Sequence, residues 1–187
     1  MKVTAYVCAL ISVSVAAGNR IRVSTARDAT VSYNGMQNGD GTFDAYTPKG
    51  MDPTLVSIKN ERDYRRILLG FDLPETVIEV ERIRRCRLHV PKPVDRPSHD
   101  YMLTAYAASN NWEERTVTAA DEIVSEVAVG SVAVRRGHNP DDMDVTSACL
   151  AAQSGRFSMF LDSNLEQVVF NSRNSNKKET FYLDVWY

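Results

Sequence analysis

Along most of the chain, apolar and polar residues alternate with a period of two, in short runs divided by Gly, Pro, Asn and Asp. Successive side chains of an extended strand point to opposite faces, so this pattern predicts strands rather than helices. Ten strands are expected, over residues 21–24, 29–33, 55–60, 66–71, 84–90, 102–107, 127–134, 157–161, 167–170 and 180–187. Two short helical pieces are predicted as well. One is a single turn over 118–122; the other covers 147–153 behind Asp144-Val145-Thr146, where side-chain oxygens satisfy free N–H groups. Residues 35–50 and 91–100 read as long loops.

Alternation also assigns faces. Cys86, Leu88 and Val90 share one side of their strand, and Arg85, Arg87 and His89 share the other. In the last strand Phe181, Leu183, Val185 and Tyr187 make the apolar stripe, leaving Tyr182, Asp184 and Trp186 opposite. Ile67, Leu69 and Phe71 point the same way, while Leu68 on the reverse face implies that part of that face is covered too. Many strands with one apolar face each need a second sheet to bury it. The expected fold is therefore all-β, an antiparallel, jelly-roll-like β-sandwich with one or two short helical turns.

With 187 residues, 43% apolar and 25% charged, the chain fits one globular domain that folds without a metal or a set of disulfides. Lys and Arg number 22 against 24 Asp and Glu, a net charge of -2, which argues against nucleic acid as a partner and leaves anion binding to a local patch. Met1-Lys2, an apolar run over 3–13 and small residues over 14–18 read as a secretory signal cut after Ala17, so that 18–187 form the mature domain; a buried first strand is the alternative. No apolar run reaches membrane-spanning length, and no membrane insertion is expected. With Cys8 removed, Cys86 and Cys149 either pair in an oxidising compartment or remain buried thiols. The scattered His89, His99 and His138 and the lack of C-x-x-C or H-E-x-x-H spacing argue against a Cys/His metal site.

Two surfaces compete as ligand sites. Arg85, Arg87 and His89 form a basic stripe, to which Arg65 or Arg66 adds charge if a neighbouring strand brings it close; guanidinium groups match the carboxylates of a uronate or the groups of a sulfated polymer. A solvated strand face that resists aggregation uses the same residues. Tyr182 and Trp186, with Asp184 between them as an acceptor, make a sugar platform unless the 35–50 loop or another chain covers them. Trp112 either stacks on a sugar or packs as a buried anchor, and Asp72 and Asp144 read first as turn and cap residues. Asn38, Asp40, Thr42 and Asp44 place oxygens at alternate positions between glycines, a spacing that a structural Ca²⁺ can use and that β-turns use as well; no cofactor is required. Glu113-Glu114 and Asp141-Asp142 are adjacent carboxylates, which do not face one bond from two sides, so no enzyme is expected.

Six short motifs occur in a characteristic order: Arg66-Ile67-Leu68-Leu69-Gly70-Phe71-Asp72-Leu73; residues 83–90 with Cys86-Arg87-Leu88; Asn111-Trp112-Glu113-Glu114 followed by Val117-Thr118; Asp144-Val145-Thr146; Val169-Phe170-Asn171-Ser172-Arg173; and Leu183-Asp184-Val185-Trp186-Tyr187. In this the chain resembles DNRLRE domains, also classed as carbohydrate-binding module family 96, over residues 28–187. The resemblance implies a secreted β-sandwich related to jelly-roll carbohydrate binders, with acidic polysaccharide such as alginate a ligand of some members. Gly70 stands where a basic residue is usual, Phe181 where proline is common, and 91–100 looks like an insertion. The function expected is a secreted, non-catalytic protein that binds a cell-wall or extracellular polysaccharide, an acidic one included. The alternative is a secreted structural or adhesion sandwich that binds protein partners.

Overall fold

A computed structural model describes residues 18–78, 83–125, 127–152, 155–164, 167–177 and 179–187, so the expected signal over 1–17 lies outside the described residues. The strands are β1 (Arg20–Ser24), β2 (Arg27–Ser32), β3 (Thr54–Lys59), β4 (Tyr64–Asp72), β5 (Arg85–His89), β6 (Tyr101–Ala108), β7 (Ala128–Val134), β8 (Met143–Asp144), β9 (Arg156–Ser163), β10 (Gln167–Asn171) and β11 (Tyr182–Trp186). They form two antiparallel sheets: one of four strands in the order β1-β11-β5-β8, and one of seven in the order β10-β3-β4-β9-β6-β7 with β2 also paired to β4. No neighbours in the smaller sheet are consecutive in the chain, so every connection to it crosses from the larger one. The ten strands expected from alternation are present. The addition is β8, whose two residues are too few to show a period.

The helical elements follow local chemistry. Asp144 Oδ1 accepts from the Thr146 amide at 3.0 Å and from Thr146 Oγ1 at 2.7 Å, which sets up α2 (Thr146–Leu150) where the cap was expected, though the helix is shorter than 147–153. A 3₁₀ turn at Ala119–Asp121 carries a capping box in which Asp121 answers Thr118. The short helix α1 (Glu75–Ile78), just after Pro74, and a 3₁₀ turn at Asp44–Tyr46 were not legible from the pattern, being too short for a 3.6-residue period.

Between the sheets lies the main core, which contains Ile67, Leu69 and Phe71 of β4, Cys86 and Leu88 of β5, Val90, Phe181, and Leu183 and Val185 of β11. Full burial of such side chains is worth roughly 1.5–3 kcal/mol each. Cys86 and Cys149 are joined in a disulfide between β5 and α2, with Cα atoms 6.4 Å apart. It closes 63 residues of chain, a constraint on the unfolded state worth about 4 kcal/mol in the chain-entropy account.

A second apolar cluster sits on the opposite face of the larger sheet, where Leu68, Phe160, Ala29 and Val31 are covered by Trp112, Val117 and Ile123. This is the cover that Leu68 implied. Gly70 makes it possible: a Cβ there would meet Trp112 Cζ2 at 3.0 Å and Arg27 Nε at 3.2 Å. Arg27, directly opposite Gly70 in the register, lies over the Trp112 ring at 4.6 Å, so a neighbouring strand brings a guanidinium to the place where the motif lacks its own. The remaining motif residues tie the edge together. Arg173 grips Glu114 with two bonds of 2.8 and 3.0 Å, and Asp28 accepts from Ser172 Oγ at 2.8 Å and the Arg173 amide at 2.7 Å.

Candidate functional site

On the outer face of the four-stranded sheet, β1, β11 and β5 turn their polar alternation outward in register. One row is Arg20, Trp186 and Arg85; the next is Arg22, Asp184 and Arg87, continued by Asp144 of β8; the third is Ser24, Tyr182 and His89. The basic stripe and the aromatic pair, which compete in the sequence reading, are cross-strand neighbours in one surface. The turn at Asp44–Tyr46 in the 35–50 loop packs instead on β2 and on the 119–121 turn.

Asp184 organises this surface. Its side chain is 3% exposed and accepts from Arg20 Nη2 through Oδ2 and from Arg22 Nε through Oδ1 at 3.4 Å, while the two arginine side chains remain 52% and 56% exposed. Burial by itself would raise the Asp184 pKa; the hydrogen bonds and charges of Arg20 and Arg22 outweigh it and hold the carboxyl below its ordinary range. The Arg22 guanidinium lies 3.8 Å from the Tyr182 ring centroid, and His89 stacks on the same ring at 4.3 Å and 15°. Arg20 and Arg85 approach Trp186 at 5.1 and 5.9 Å. The two rings thus support cations, and Tyr182 in particular carries both Arg22 and His89 against its ring. At the β8 side, Arg85 Nε reaches Asp144 at 3.7 Å and His89 Nδ1 meets Asp142 at 2.9 Å, whereas Arg87 Nε is buried without a hydrogen-bond partner among the described residues.

Arg20 and Arg22 escaped the sequence reading. Their alternation with Ile21 and Val23 was visible, but nothing local shows that β1 lies beside β11, 162 residues away in the Arg22–Asp184 contact.

Other candidates fall elsewhere. Arg66 is not a neighbour of the stripe: it belongs to the larger sheet, is buried, and bonds Asp162 at 2.7 Å and Ser125 Oγ at 3.0 Å. Arg65 is held by Asp44 and Asp63 in that same sheet. Trp112 is buried and donates from Nε1 to Ser158 Oγ at 2.9 Å, so its ring is a packed anchor and offers no stacking surface. Asp72 pairs with Arg156 at 3.1 Å across β4 and β9. In the glycine-rich loop, Asp40 Oδ1 accepts from the Thr42 amide and hydroxyl, Asn38 donates to Thr42 Oγ1 at 3.0 Å, and Asp44 turns away into bonds with Lys49 at 2.7 Å and Ser32 at 2.6 Å. The four residues do not converge on one point, and no group of three or more His, Cys, Asp or Glu side chains suited to a metal occurs among the described residues. The 91–100 loop runs along β10, with Val94 N donating to Val169 O at 2.8 Å, and borders a cleft of 540 Å³.

The model of carbohydrate-binding module family 96 matches residues 19–185. A protein of Arthroderma benhamiae described as an uncharacterized secreted protein is 29% identical over 128 residues, covering 67% of this chain and 64% of its own length. The chain thus spans a little under two thirds of that relative. No helix among the described residues is long and apolar enough to cross a membrane.

Proposed function

Because the chain belongs to carbohydrate-binding module family 96, we propose that it is an exported, non-catalytic binder of acidic polysaccharide and that the outer face of the four-stranded sheet is its binding surface. The observation that carries this reading is that Arg20 and Arg22 bond the buried carboxylate of Asp184 while their side chains stay more than half exposed, with Arg85 and Arg87 on the adjoining strand β5. A guanidinium has five N–H donors. Asp184 engages only some of those on Arg20 and Arg22, leaving others for carboxylate or sulfate oxygens spaced along a polymer. By holding the two side chains in place, it also lowers the entropy lost when ligand binds. Tyr182 and Trp186 brace the cations from below, each contact worth about 0.5–1 kcal/mol at an exposed site. Export is supported by the apolar run over 3–13, by the Cys86–Cys149 disulfide, which suits an oxidising compartment, and by the secreted relative.

Calorimetric titration with a guluronate hexasaccharide tests the reading. Protein collected from the medium should begin at residue 18; an intact Met1 would reject the signal. Affinity should fall between about 0.05 M and about 0.5 M NaCl, because the shorter Debye length screens exposed charges. Arg85→Ala with Arg87→Ala should weaken binding about tenfold or more, near 1.4 kcal/mol, at an unchanged melting temperature. Affinity should be the same in calcium and in EDTA. Binding that survives removal of all four arginines would reject this face, and a loss in EDTA would assign the ligand to a cation site instead.

A further inference from the structure

The segment between β2 and β3 carries a second aromatic surface of opposite electrostatic character. Tyr33, Phe43 and Tyr46 are 37%, 46% and 65% exposed, and with Gly35 and Ala45 they line an open hollow of 410 Å³ that no charged side chain borders. Phe43 and Tyr46 stand at 89° with ring centroids 6.5 Å apart, which makes a corner, and Tyr33 is backed by Tyr64 stacked at 5.3 Å. No guanidinium lies over Phe43 or Tyr46 among the described residues.

Leaving rings in water forgoes the free energy of burying them, so a corner of this kind has to be held open. The loop is built to do that. Gln37 and Phe43 form a β-bridge, the Asn38 amide donates to Thr42 O at 2.6 Å, and Gly41 takes the left-handed φ of +89° that closes the turn. Asn38 Nδ2 adds bonds to Thr42 Oγ1 and Thr47 Oγ1, and Asp44 anchors the base on Lys49 and Ser32. The oxygen-bearing residues with metal-like spacing are the frame of the corner.

We propose that the corner formed by Tyr33, Phe43 and Tyr46 is a second glycan site, which takes the apolar face of a neutral pyranose ring. The lining matches such a ring in charge: it holds no cation for a carboxylate, and it offers ring faces to the sugar C–H groups and the phenol of Tyr46 to its hydroxyls, the Tyr33 phenol lying beside Arg66. The proposal rests on the chain's being a carbohydrate binder and is independent of the acidic ligand assigned to the arginine face.

The test is calorimetry on the whole protein with cellohexaose, mannohexaose and xylohexaose at about 0.5 M NaCl, where the arginine face is screened. At least one should bind with little salt dependence, and Phe43→Ala and Tyr46→Ala should each weaken it about tenfold or more. Arg85→Ala with Arg87→Ala should leave it unchanged, and Tyr46→Ala should leave guluronate binding unchanged. Melting curves check the fold; should Phe43→Ala fail to fold, Tyr46→Ala decides alone. Absence of binding to all three hexasaccharides, or binding that persists in the variants, would overturn the proposal. A concentration-dependent dimer in sedimentation that Tyr46→Ala abolishes would overturn it in favour of a self-association surface.

Discussion

On the outer face of the seven-stranded sheet, Arg66 lies 4.1 Å from the Phe160 ring centroid and bonds Asp162, and close by Trp112, Val117 and Ile123 close over Leu68 and Phe160. On the outer face of the four-stranded sheet, Arg20 and Arg22 bond Asp184 beside Tyr182 and Trp186, and the arginines stay open to solvent. Both faces combine arginine, aromatic ring and aspartate. What separates them is cover. Under a lid, the ion pair and the ring become packing, with donors spent on partners inside the protein. Without one, the same residue types keep donors free for a ligand, and the aspartate serves to orient them. Residue type is therefore a poor guide to a binding face until burial is known.

The contrast predicts unequal costs for alike substitutions. Trp112→Ala removes the lid's anchor, its bond to Ser158 and the ring beneath Arg27, and should destabilise by about 3–5 kcal/mol. Trp186→Ala on the open face should cost about 1 kcal/mol or less. Thermal melts of the two variants compare them directly, and equal losses would mean that the two faces are equally buried. Arg66→Ala leaves Asp162 without its guanidinium in a largely buried place and should cost about 3 kcal/mol, whereas Arg85→Ala should stay within about 0.5 kcal/mol. Urea midpoints at pH 7 read both.

The third and narrowest contrast separates two buried aspartates. Burial drives the Asp28 carboxyl up to about 6, against hydrogen bonds from the Arg173 amide and Ser172 that pull it down, while Asp184 is held low by Arg20 and Arg22. Above pH 4 the unfolded chain releases the Asp28 proton that the folded protein keeps until about 6. Asp28 thus favours the fold at acid pH, and this contribution, about 2 kcal/mol, is lost as pH rises from 4 to 6. Asp184 has the opposite sign: its contribution is present above the unfolded value of about 3.9 and is lost as pH falls through its lower folded value. Urea denaturation at pH 4, 5, 6 and 7 should show the decline in the wild type and a flatter profile in Asp28→Asn; a parallel profile would place the titration elsewhere.

Much of the fold was legible in advance because alternation is a local signal. Cys86 and Leu88 went inward and Arg85, Arg87 and His89 outward on sequence alone, and Leu68 announced a cover without naming it. The candidate site was legible only in halves. Arg85, Arg87 and His89 on one strand and Tyr182, Asp184 and Trp186 on another each carried their chemistry openly, yet they read as rivals because the pairing of β5 with β11 spans almost a hundred residues. Trp112 and Arg66 looked as available as Trp186 and Arg85.

By itself the sequence determined the strands, the faces of those strands and the order of motifs, since each depends on neighbours a few residues apart. The tertiary structure alone decided which strands adjoin, that β1 contributes Arg20 and Arg22, that Gly70 yields its space to Arg27 and Trp112, and which sheet face is roofed. The reason is physical: strand pairing and burial are set by contacts between distant segments competing for the same apolar surface, and no local period encodes which of them prevails.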